Sequence, residues 1–131
     1  MSRFLPPDHT QGDERTIGGY AAVHARPAAF EGRDGCSYSV ELLADRTGEA
    51  ERPWGAFLLF VQWKRFGEHG VSGHLETAFL AWGDDRASAI AALGAMPVDE
   101  VQVRLDALLV ERAAEARDRA DAADAADEDA W

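Results

Sequence analysis

One cysteine and one lysine in 131 residues close off several chemistries before any pattern is read. Cys36 has no partner for a disulfide within the chain and no second thiolate for a cysteine-based zinc site, so it reads as a packed, inert side chain. With Lys64 the sole lysine, every other basic residue is arginine, and 13 basic residues face 24 acidic ones for a formal net charge of −11. Nucleic-acid affinity rests largely on Lys and Arg displacing counterions from phosphates, and adhesion to anionic lipid needs a basic surface. Neither nucleic acid nor membrane is therefore an expected partner. Long apolar runs are missing too. The longest, Gly55 to Val61, is far short of the roughly 20 residues of a membrane helix. The start, MSRFLPPDHTQGDER, lacks the apolar stretch of a secretion signal. These absences predict a cytoplasmic protein with no cofactor.

What is present is enough for a core. Apolar residues make up 47% of a chain of one domain's length, which suits a globular fold. Residues 1–15, with two prolines and several charges, read as a flexible N-terminal arm. Ile17 to Ala25 (IGGYAAVHA) reads as a first strand stopped by Arg26-Pro27, and EGRDG after it as a loop. Ser37 to Ala44 alternates, with Tyr38, Val40 and Leu42 one way and Ser37, Ser39 and Glu41 the other. Trp54 to Arg65 and Val71 to Trp82 read as strands three and four, joined by a Gly-bracketed turn. The period then changes. Asp85 is placed to cap a helix over Arg86 to Ala95, and Pro97 to open a second. In that second helix Val98, Val101, Leu105, Leu108 and Leu109 fall on one stripe, and Asp99 and Glu100 suit its first turn. The prediction is an α+β fold: a four-stranded antiparallel meander followed by two helices packed on one face. The domain is expected over residues 16–117, with an acidic low-complexity tail over 118–131.

Strand three, WGAFLLFVQWKRF, is the anomaly. Trp54, Ala56, Leu58 and Phe60 share one side, and Gly55, Phe57, Leu59, Val61 and Trp63 the other, so both sides are apolar up to Gln62. Two helices cover one face only, and a bare second face exceeds the apolar patch that monomers usually expose. A second copy packed across a two-fold axis is one cover; a curled sheet, the N-terminal arm with Phe4 and Leu5, or a ligand in a groove are others. Trp54, Leu58, Phe60, Leu80 and Trp82 are the expected interaction face. Function is accordingly predicted to be a non-enzymatic interaction module that forms a homodimer or binds a protein partner.

Polar clusters supply two alternatives. In GEHGVSGHLET, His74 and Glu76 are two apart on a strand and His69 sits in the adjoining turn, a ligand set for a divalent cation or a general acid–base pair for a small enzyme. No nucleophile stands nearby in an activating context, because Ser72 and Thr77 lack any elbow or helix start. The glycines of FEGRDGC precede a strand, so they present no helix-start amides to a phosphate. The run of carboxylates from Asp121 onward carries no base, and it offers an acidic decoy for a basic partner protein.

Overall fold

The computed structural model describes residues 7–63 and 71–129. Eight elements follow one another: α1 (Ile17–His24), β1 (Ala29–Glu31), β2 (Ser37–Arg46), β3 (Trp54–Trp63), β4 (Val71–Glu76), β5 (Ala81–Gly83), α2 (Arg86–Gly94) and α3 (Val98–Asp129). The strands form one antiparallel sheet in the order β1-β2-β3-β4, with β5 also paired to β3. The fold is α+β, with α2 and α3 following the antiparallel sheet.

Both late helices begin where local chemistry places them. The Asp85 carboxylate accepts the Ser88 amide at 2.7 Å and caps α2. Pro97 precedes α3, whose first turn carries Asp99 and Glu100. Val101, Leu105 and Leu109 are the buried stripe of α3, while Val98 and Leu108 pack partly against the same core. The helix runs on to Asp129, so the change of composition at residue 118 marks no element boundary.

The segment read as a first strand is a helix. Thr16 accepts the Gly19 amide at 3.0 Å as the N-cap of α1, and Ala21 and Ala22 favour helix. Gly18 permits a close approach here. A Cβ on Gly18 would stand 2.9 Å from the Gly94 Cα, so α1 crosses α2 nearly backbone to backbone. The α1 start is clasped to the α2–α3 junction by Ile17 N–H to Met96 O and Val98 N–H to Arg15 O, each 2.8 Å. The first strand of the meander is the short β1, whose Phe30 faces Tyr38. Three residues are too few to show a period.

The expected fourth strand, 71–82, is broken in two. Thr77 N–H donates to Leu58 O and Leu80 N–H to Ala56 O, so three steps on this side match two on β3. One extra residue bows the chain outward, the geometry of a bulge. Inside the bow, the Thr77 hydroxyl accepts the Leu58 amide at 3.1 Å and replaces the missing ladder partner.

Register decides which side of the sheet is core. Val40 pairs with Phe60, Leu42 with Leu58 and Ala44 with Ala56, and these even-numbered positions lie beneath the helices. Ile17, Leu93, Val101 and Leu105 complete the cluster with Tyr38. The odd-numbered positions of β2 and β3 make the opposite face.

Candidate interaction surface

The opposite face is partly covered and partly open. Near the start of β3 the bow between β4 and β5 folds Phe79 over Gly55, and its ring centroid lies 6.1 Å from that of Phe57. Phe57 is thereby 8% exposed. Beyond it nothing in the described residues shields β3: Leu59 and Val61 are half-buried and Trp63 is 44% exposed. Leu43, opposite Phe57 on β2, is 36% exposed. The Trp63 indole is oriented by its N–H, which donates to Ser39 Oγ at 3.0 Å.

The flanks of this apolar column are acidic. Along one cross-strand row Glu41, Leu59 and Glu76 stand side by side; in the next, Ser39, Val61 and His74 do. Asp45, paired with Gly55, marks one end, and Glu31 on β1 lies toward the other. All four carboxylate residues are exposed. No Lys or Arg occupies an open-face position of β1 to β4 among the described residues. Arg52, from the β2–β3 connection, lies 4.3 Å over the Trp82 ring at the margin and is paired with Glu49 at 3.1 Å.

The residues expected to form the interaction face distribute differently. Leu58 and Phe60 are completely buried beneath the helices, so no partner reaches them; this corrects the assignment of the outer side of β3. Trp54 is half-buried on the helical side, with the Arg46 and Arg86 guanidinium groups 5.2 and 5.1 Å from its ring. Leu80 packs against the core. Trp82, paired with Gly55, alone of the five belongs to the open side. Leu59, Val61 and Trp63 are the residues that assignment missed. The signal for them was in β2, where the outward run of Ser39, Glu41 and Asp45 marks the wet side once its register with β3 is known.

The polar clusters of the sequence are placed only in part. His74 and Glu76 do share a face, both exposed, but His69 lies outside the described residues. Among the described residues no three His, Cys, Asp or Glu side chains come together as a metal site. The most developed polar network is on the helical side. Tyr38 OH donates to Asp34 Oδ2 at 2.7 Å, and Arg112 reaches the same phenol oxygen at 3.3 Å and Asp34 Oδ2 at 3.5 Å. Burial, then the Asp34 carboxylate, pushes the Tyr38 phenol up to about 12. Burial disfavours ionised Asp34, but hydrogen bonds from Tyr38 and Cys36, with the Arg112 charge, outweigh it and hold the carboxyl below its ordinary value. Gln102 Nε2–H to Glu31 O and Arg33 N–H to Asp106 Oδ1 tie the same turn to α3. This network is a clasp between the β1–β2 turn and α3.

Among the described residues the open face is an apolar column of sheet edged by carboxylates and His74. Among the described residues no helix is long and apolar enough to cross a membrane. No family model, curated protein or solved structure matches this chain.

Proposed function

We propose that this chain is a small cytoplasmic, non-enzymatic interaction module that binds protein through the open face of its sheet. The observation that carries the reading is the column Leu59, Val61 and Trp63, left uncovered at the middle of the sheet while Leu58 and Phe60 beside it are sealed under the helices. Exposed apolar side chains gathered on one face mark interaction sites more often than scattered ones do. The mixture of an aromatic centre and a polar rim suits an interface patch.

Site-specific photocrosslinking in the native cells tests it. With p-benzoylphenylalanine at position 61, a discrete protein adduct is expected; at Val103, which is 65% exposed on α3, it is not. Equal yields at the two positions, or none at position 61, refute the reading. An adduct of twice the chain's mass identifies a second copy as the occupant.

A further inference from the structure

Among the described residues the strands of the open face carry carboxylates and no Lys or Arg, and this narrows what binds there. Resting on the interaction reading above, we infer that the occupant is a basic amphipathic helix, an apolar stripe edged on both sides by Lys or Arg, rather than a second copy of this chain. In an isologous pair, residues of this face meet residues of the same face. Among the described residues the charged side chains on its strands are the carboxylates Glu31, Glu41, Asp45 and Glu76, so stacking two copies face to face gathers like charge at their interface. Like-charge juxtaposition across an interface suppresses such partners, whereas opposite charges steer association and fix register.

Dimensions point the same way. Glu41 and Glu76 flank Leu59 from the two neighbouring strands, so they stand about 10 Å apart, twice the strand spacing. A helix is about 10–12 Å across. Laid along β3, it would set its apolar stripe on Leu59, Val61 and Trp63 and its flanking cations over one carboxylate on each side. The open column from Leu59 to Trp63 spans about 14 Å, matched by about nine helical residues. Long basic side chains suit the geometry because their stems cover apolar surface while the charged ends reach outward.

A short helix-forming peptide of leucine and lysine, with leucine at helical spacing, is the probe, and its leucine–glutamate counterpart the control. Titrated into the full chain, the lysine peptide is expected to bind at least about tenfold more tightly than the control, and to weaken as salt rises. It should shift the NMR signals of the Leu59 and Val61 methyls and the Trp63 indole N–H. Glu41→Lys combined with Glu76→Lys should cost at least about tenfold in affinity, and the neutral Glu41→Gln with Glu76→Gln an intermediate loss, both with an unchanged circular dichroism spectrum. Asp118→Asn with Asp121→Asn on α3 should leave binding within about twofold, because those residues lie off the face. If the α3 variant loses as much as the face variant, the peptide is adhering to acid in general and the inference falls. A chain that sediments as a dimer with these three signals already protected overturns the basic helix but leaves the interaction reading standing. A monomer that binds neither peptide, and gives no crosslink at position 61, ends both.

Discussion

A Cβ added to Gly55 would stand 2.5 Å from Cγ of Phe79, so the ring occupies the space a side chain on β3 would take. The bow between β4 and β5 and the glycine on β3 are two halves of one packing arrangement. Gly55→Ala should expel Phe79 from its place over Phe57 and destabilise the fold by about 1–3 kcal/mol, the usual cost of overpacking. Chemical denaturation measures it, and Phe79→Ala in the Gly55→Ala background should recover part of the loss by removing the clash.

Thr77 holds the bow from inside. Its hydroxyl accepts the Leu58 amide, on a strand whose helical side is sealed. Thr77→Val keeps the volume but leaves that amide without an acceptor, at an expected cost of about 1–3 kcal/mol in denaturant unfolding. Thr77→Ser, which keeps the oxygen, should stay close to the unaltered protein.

Adjacent residues on β3 should respond very differently to the same substitution. Leu58→Ala opens a cavity beneath the helices and should cost about 2–5 kcal/mol. Leu59→Ala removes a half-buried side chain from the open face and should cost about 1 kcal/mol or less. Equal losses in the two variants would show that the outer face is covered in the free protein.

The clasp of Tyr38, Asp34 and Arg112 predicts opposite pH behaviour at its two titrating groups. The Tyr38 phenol is raised from 10.0 to about 12, so its contribution is complete below pH 10 and disappears as pH rises toward 12. Tyr38→Phe should therefore cost about 1–2 kcal/mol at neutral pH, with the difference from the unaltered protein shrinking across that alkaline window. Asp34 is lowered from 3.8, so its contribution is complete above the ordinary carboxyl range and is lost as pH falls through its lowered value. The stability gap to Asp34→Asn should close on acidification. Unfolding free energies measured from pH 3 to 6, and from pH 9 to 12, test both signs.

Much of this architecture was legible in particular residues. Asp85 and Pro97 mark helix starts through chemistry that acts within one turn, and both starts are where they indicate. The stripe of Val101, Leu105 and Leu109 needs only helical spacing to be recognised as buried. Ile17–His24 was hidden because Gly18, which permits the α1–α2 crossing, carries the same letter as glycines that interrupt strands. The metal-ligand set was half legible: spacing puts His74 and Glu76 on one face, but whether a third ligand joins them is a matter of three-dimensional placement, and His69 lies outside the described residues.

The sequence by itself determined that two helices close the chain after the strands, that β3 runs through the middle of a sheet, and that this strand has two apolar sides. Only the tertiary structure decided which side is core. Alternation of period two distinguishes the faces of a strand when one is polar, but it has no parity to offer when both are apolar. The choice passed to register, set by the pairing of Val40 with Phe60 and Leu42 with Leu58 beyond a connection of seven residues. That pairing sends Leu58 and Phe60 under the helices and turns Leu59, Val61 and Trp63 outward. The extra residue in the Thr77–Leu80 bow then brings Phe79 over one end of the outward column and leaves Leu59, Val61 and Trp63 beyond it.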